Sequence, residues 1–250
     1  MKTNTTSFLY RAIFLILLTL IIPGLLHAQA CCSAGVPLLG SLELPAMPAG
    51  QWQLALTYEQ NALRDVVASS TVLDDHFRRR TVHTLMLETS YGLTGRWSVS
   101  ALLSMIRQNR SIQSPLDPSV VDRLDTRGFG DAVVLIKYNV LPLNMSTQRE
   151  LAVGAGPKVP LGIYDLRSNG ILAPADMQPG SGAWDAVMWA YFYQGFLPTT
   201  RLNLFGTVST RLTGTNSFDY RFGNEFITTM STSYRFSLSL FYVRQQSDFF

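Results

Sequence analysis

The chain has 250 residues, 47% of them apolar and only 15% charged, with a formal net charge of +3. Ordinary soluble domains carry about 25% charged residues, so a typical water-facing surface is not supplied. The small, scattered excess of Lys and Arg excludes a nucleic-acid-binding stripe.

Lys2 and Arg11 flank a polar start, residues 12–22 are apolar but for Thr19, Pro23 and Gly24 end the run, and Ala28-Gln29-Ala30 has the A-x-A form. This pattern is that of a secretory signal peptide cut after Ala30. The run is shorter than the ~20 residues a membrane-spanning helix needs, and no later stretch approaches that length. The expected division is a signal peptide at 1–30, a periplasmic segment at 31–50 and a single domain at 51–250.

Cys31 and Cys32 would open the mature chain. Adjacent cysteines seldom bond to each other, because a disulfide wants Cα atoms ~5.5 Å apart. Ala28 and Gln29 match a lipoprotein signal poorly. An inert or intermolecularly oxidised pair is the plain reading; a soft-metal contact is chemically open, though two thiols alone make no site. No cofactor is implied.

From residue 51 onward the chain repeats strand-length stretches in which apolar and polar residues alternate. Trp52, Leu54, Leu56 and Tyr58 oppose Gln53, Thr57 and Glu59. His83, Leu85, Leu87, Thr89 and Tyr91 oppose Thr84, Met86, Glu88 and Ser90; Trp97, Val99, Ala101, Leu103 and Met105 oppose Ser98, Ser100 and Ser104. Val134, Ile136 and Tyr138 oppose Asp131 and Lys137, and Leu151, Val153 and Ala155 oppose Gly154, Gly156 and Lys158. Residues 183–193 are apolar on both parities; turning Asp185 inward puts Ala186, Met188, Ala190 and Phe192 outward. Leu202, Leu204 and Val208 then oppose Arg201, Asn203 and Arg211, and Tyr220, Phe222, Phe226, Met230 and Tyr234 oppose Arg221, Glu225 and Ser231. Phe236, Leu238, Leu240 and Tyr242 form a ninth strand.

Charges thus fall on one parity. At mid-bilayer a charge facing lipid costs roughly 2 to 4 kcal/mol, so this segregation predicts an all-β antiparallel transmembrane barrel with a polar lumen. Glu59, Glu88, Asp131, Lys137, Lys158, Asp185, Arg201, Arg211, Arg221 and Glu225 are the candidate lumen-lining charges. Two regularities favour a membrane barrel over a soluble one. Aromatic residues edge the short turns, with Trp52, Tyr91, Trp97, Tyr138, Phe192, Tyr193, Tyr234 and Phe236 forming a predicted interfacial girdle. Short turns also alternate with long connections at 61–80, 108–130 and 159–182, as periplasmic turns alternate with outer loops. Nine strands conflict with the even count of such barrels, so either a strand is hidden, in residues 35–44 or in a loop, or the chain stops before its barrel does.

Three segments carry a family resemblance: Gly128-Phe129-Gly130-Asp131 running into 132–138, then Gly156-Pro157-Lys158-Val159-Pro160-Leu161-Gly162, then Met177-Gln178-Pro179-Gly180-Ser181-Gly182-Ala183-Trp184-Asp185. In that order they resemble the signature blocks of an outer-membrane transporter-like β-barrel family associated with the meta-pathway of phenol degradation. The similarity runs from about Cys31 to Tyr242. It implies 10 to 12 strands, localisation in the outer membrane of a Gram-negative bacterium, and a channel for hydrophobic or aromatic small molecules. Physically, Gly128, Gly130, Gly180 and Gly182 suit positive φ at strand rims, and Asp131 and Asp185 would follow them inward. These carboxylates either accept loop amides and pair with Arg127 or Lys158, or filter solutes at the mouth.

Enzyme chemistry has little support: His76 lies in an Arg-rich loop, neither H-E-x-x-H nor G-x-S-x-G occurs, and His83 on the outward parity reads as interfacial, its alternative being the outer-wall Ser–His pair of a barrel hydrolase. Arg78, Arg79 and Arg80 read as a solvated loop face or as a contact for anionic surface glycolipid. The expected function is a passive outer-membrane channel for small solutes, with membrane lipid around it. The alternative is a plugged structural barrel that docks a partner protein or surface glycolipid through its loops, since bulky inward residues such as Val133, Leu135, Trp189 and Phe205 can fill a narrow barrel.

Overall fold

The computed structural model describes residues 45–63, 66–68, 71–73, 77–114, 117, 119–144, 146–196 and 202–235. The strands are β1 (Trp52–Leu63), β2 (Val66–Ala68), β3 (Thr71–Leu73), β4 (Arg78–Gly92), β5 (Trp97–Gln113), β6 (Val121–Phe129), β7 (Ala132–Asn144), β8 (Arg149–Val159), β9 (Arg167–Ser168), β10 (Ile171–Leu172), β11 (Asp185–Phe196), β12 (Leu202–Leu212) and β13 (Glu225–Tyr234). The main sheet runs β1-β4-β5-β7-β8-β11-β12-β13, every neighbour antiparallel, and curls into a half-barrel. Among the described residues β1 and β13 are its edges. The all-β antiparallel expectation holds, and eight of the nine expected strands are on this path. The ninth, at 236–242, lies outside the described residues, as do residues 1–30, Cys31 and Cys32.

Alternation in sequence becomes alternation in space because a strand's successive side chains point to opposite faces. On β5, Ser98, Ser100, Leu102, Ser104, Ile106 and Gln108 are buried inside the curl, while Trp97, Leu103 and Met105 are exposed outside. The outer face is apolar: Trp52, Leu54 and Leu56 are each 68–69% exposed, and Phe226 is 73% exposed. The inner face holds a cluster of Met86, Leu102, Val133, Leu135, Val187, Trp189 and Tyr191, which Tyr193, Phe205 and Ile227 pack against. Ala46 from the leading segment joins that cluster. There the chain crosses the end of β4 closely, with Gly50 N–H donating to Gly92 O at 2.8 Å and Gly92 N–H to Gln51 O at 3.0 Å. A side chain on Gly92 would overlap the Pro48 carbonyl, so only glycine fits.

Four sequence expectations change. β1, β4 and β5 run further than the alternation showed, shortening the connections expected at 61–80 and 108–130. The second of these contains a strand, β6, which pairs with β5 from Gln113↔Val121 to Met105↔Phe129. Because β5 pairs with β7 from Leu102 to Trp97, β6 and β7 succeed each other along one edge of β5, interrupted at Gly130-Asp131. β6 therefore lengthens the wall without adding a position to it. Phe222, expected outward on a strand, is instead buried in the connection before β13. Of the four rim glycines expected at positive φ, only Gly182 has it, at 68°.

Candidate functional site

Five charges stand in alternating sign across five neighbouring strand ends on the inner face. Asp131 immediately precedes β7, Lys158 is on β8, Asp185 opens β11, Arg211 is on β12 and Glu225 opens β13. Antiparallel register sets Lys158 opposite Asp185 and Arg211 opposite Glu225. Lys158 Nζ lies 2.6 Å from Asp131 Oδ2 and 3.0 Å from Asp185 Oδ2. Arg211 Nε is 3.8 Å from Asp185 Oδ2, and Arg211 Nη2 contacts Glu225 Oε1. The Lys158 and Asp131 side chains are wholly buried. Each buried cation lies between two carboxylates, the arrangement that offsets the desolvation of burying charge.

This row anchors the long connection between β8 and β11. Asp131 Oδ1 accepts Gly162 N–H at 3.1 Å, and its Oδ2 accepts Ser181 N–H at 3.0 Å and Ser181 Oγ at 2.7 Å. Gly162 and Gly180 back onto each other so closely that a Cβ on either would meet the other's backbone. Between these points residues 163–179 fold over the inner face. Gln178 Nε2 donates to Leu166 O and Ala173 O, both at 3.0 Å, and its Oε1 accepts Leu166 N–H, also at 3.0 Å. The wall holds the segment's far side: Thr126 Oγ1 donates to Met177 O at 2.6 Å, and Arg80 Nη1 meets Asp176 Oδ2 at 3.0 Å. Arg80 Nη2 also reaches Asp176 O and Gln108 Oε1. The connection before β13 joins in, with Gly214 N–H on Asp185 Oδ1 at 3.0 Å and Asn216 Nδ2 on Ser181 O at 3.0 Å.

Deeper along the wall, the buried Lys137 ammonium is 3.4 Å from Glu88 Oε1 and 4.3 Å from the centre of the Trp189 ring. A cation over an indole face gains from the ring quadrupole as well as from the carboxylate. Ser90 and Ser100 hydroxyls share a bond of 2.8 Å beside them.

Most of the candidate charges therefore face inward: Glu88 and Lys137 as one pair, and Asp131, Lys158, Asp185, Arg211 and Glu225 as one row. Glu59 sits apart on the inner parity of β1, accepting from Asn61 Nδ2 at 2.7 Å. Arg201 lies outside the described residues. Arg221 is exposed in the connection before β13, bridged to Thr215, and is not on the wall. Arg127, offered as a partner for Asp131, is turned to the outer face, because buried Leu124 and Thr126 fix the opposite parity inward. The expected ring residues pair at the short-turn end, Trp52 with Tyr91 and Trp97 with Tyr138, both with centroids 4.7 Å apart. Phe192 and Tyr234 are on the outer parity of β11 and β13, Phe192 lying over Gly206. Tyr193 is a correction: it packs against the inner cluster and donates to Asn203 Oδ1 at 2.7 Å. Phe236 is outside the described residues. Ser181, Gln178 and Arg80, which hold the inner connection, carry no local pattern that marks them, although the Gly-rich block around Ser181 signals close backbone approach.

Residues 63–249 match the model of a family described as "Putative MetA-pathway of phenol degradation". The chain belongs to this family. The three segments that carry the sequence resemblance, Gly128 to Asp131, Gly156 to Gly162 and Met177 to Asp185, supply the strand ends and connections around Asp131, Lys158 and Asp185 in the buried charge row. No curated protein matches the chain. No helix among the described residues is long and apolar enough to cross a membrane, which bears on helices alone.

Proposed function

We propose that the chain builds an outer-membrane β-barrel that passes small solutes without energy coupling, its short turns periplasmic and its long connections outside. One observation carries this reading: eight neighbouring strands present an apolar outer face and a face bearing every buried charge inside. A wall with that polarity suits a surrounding of hydrocarbon, where an outward charge costs several kcal/mol. The family's description, which names phenol degradation, favours aromatic solutes among those carried. Lys137 and Glu88 are the charges held behind the Trp189 cluster that such a route would skirt, and the β8–β11 connection narrows the route at its outer end.

The test is single-channel conductance of the refolded chain in a planar bilayer, with Glu88→Gln and Lys137→Met made separately, because each alone changes the net charge of the pair. Unitary steps whose cation-to-anion preference moves with the substitutions are expected. A specific feature favours a second reading: Met86, Leu102, Leu135 and Trp189 fill the inner face at mid-height. Silence from a chain shown to be inserted would shift the conclusion to a filled barrel that docks a protein partner through its outer connections.

A further inference from the structure

The outer face changes character abruptly at one level. Antiparallel register places Tyr58, Leu85, Met105 and Phe129 in one row across β1, β4, β5 and β6, and Leu85, Met105 and Phe129 are 42%, 49% and 66% exposed. The next row up holds Gln60, His83, Arg107 and Arg127. Above it come Thr81, Asn109 and Asp125, then Arg79, Ser111 and Arg123. Within two residues along each strand, about 7 Å, the wall passes from hydrocarbon side chains to a surface with four arginines and one carboxylate.

Arg107 and Arg127 face each other directly across the β5–β6 ladder. Like charges in that relation destabilise a sheet, and their Cβ atoms stand only about 5 Å apart. Asp125 relieves one of them, meeting Arg107 Nη2 at 3.2 Å. Arg127, Arg123 and Arg79 have no ion pair among the described residues, and all three are exposed. His83, hydrogen-bonded to the Tyr58 hydroxyl at 2.7 Å, borders the pair on its other side. Two guanidinium forks held side by side in a wall match an anion with several acceptor oxygens, because Arg binds phosphate through two parallel N–H donors.

We infer that this patch is a binding site for the phosphorylated headgroup of a membrane amphiphile, with Arg107 and Arg127 as its paired ligands and Arg123 and Arg79 above them. The inference rests on the membrane-barrel reading. Continuity with the apolar row identifies the occupant as a lipid rather than a free anion: acyl chains lie along Leu85, Leu87, Leu103, Met105 and Phe129 while the phosphate meets the arginines one row higher. The residues just before His83 contribute to this surface only through Arg79, since Arg80 points inward to Asp176.

The experiment uses the full mature chain refolded into phosphatidylcholine nanodiscs. Insertion is read independently, from its heat-modifiable mobility in gels. Diphosphoryl lipid A, its dephosphorylated form and inorganic pyrophosphate are then titrated, with native mass spectrometry counting bound lipid. Arg107→Gln/Arg127→Gln is expected to weaken diphosphoryl lipid A binding at least tenfold, while Arg96→Gln at the opposite end of the wall leaves it unchanged. The dephosphorylated lipid is expected to bind the parent chain as weakly as the phosphorylated lipid binds the double variant. Unchanged affinity in the inserted double variant, equal binding of the dephosphorylated lipid, or full competition by pyrophosphate overturns the lipid site alone. A chain that never inserts overturns the barrel reading and this site together.

Discussion

Replacing Asp131 with alanine removes, in one step, the acceptor for Gly162 N–H, Ser181 N–H, the Ser181 hydroxyl and the Lys158 ammonium. Breaking a buried ion pair by deleting one partner costs about 3 to 5 kcal/mol. Lys158 retains Asp185 at 3.0 Å, which argues for the lower end. The two backbone amides left without an acceptor add about 1 kcal/mol each. The expected loss is therefore about 5 kcal/mol for Asp131→Ala and roughly half that for Asp131→Asn, which keeps one carbonyl acceptor. The assay is guanidinium unfolding of the refolded protein in lipid vesicles, followed by tryptophan fluorescence. Trypsin cleavage after Arg167, an exposed residue of the anchored connection, gives a second readout and is expected to accelerate. Adding Lys158→Met should recover part of the loss, because a pair removed together leaves no uncompensated ammonium. An Asp131→Ala variant within about 1 kcal/mol of the parent, with unchanged cleavage, would refute the assignment of this carboxylate as the anchor.

Two further substitutions separate the wall from the connection. Gly156→Ala introduces a methyl group that overlaps the Val134 carbonyl across the β7–β8 ladder; the fraction reaching the heat-modifiable folded form should collapse, and a normal folded yield would contradict the close approach. Arg80→Gln loses the contacts to Asp176 but leaves the sheet intact. Its pair is partly buried, so the expected stability loss is only about 1 to 2 kcal/mol, whereas trypsin cleavage after Arg167 should quicken severalfold; equal cleavage of variant and parent would show that Arg80 does not hold the connection.

The faces of β4, β7 and β12 are legible in the sequence because each strand has two different surroundings, and the alternation of Glu88, Lys137 or Arg211 with aliphatic neighbours records both. β6 is not legible for the same reason in reverse. Above the apolar level its outer positions, Arg123, Asp125 and Arg127, face a polar surrounding, so only Leu124 and Thr126 hint at a buried parity. Tyr193 misleads because residues 183–193 are apolar on both sides, the inner side facing the Trp189 cluster instead of a polar surface. Asp131 and Asp185 are readable as inward charges, but their choice of Lys158 over Arg127 depends on which face each strand end presents. The fold of the 160–184 connection depends on backbone groups of Leu166, Ala173 and Met177, whose identity leaves no trace in side-chain pattern.

Neighbouring strands of the main sheet succeed one another in chain order, and the longest connection between them is residues 160–184, so the hairpins can form in order. The grip of the inner connection on that wall is of another kind: Arg80 to Asp176 spans 96 residues, Gln108 to Gln178 spans 70, and Thr126 to Met177 spans 51. Loop-closure entropy favours the near contacts first. The wall is thus complete on this side before its interior is covered, and the covering is a late, separable event. Changes within residues 163–179 act on an already built wall, altering how its interior is covered, while changes in β4 to β8 decide whether there is a wall to cover.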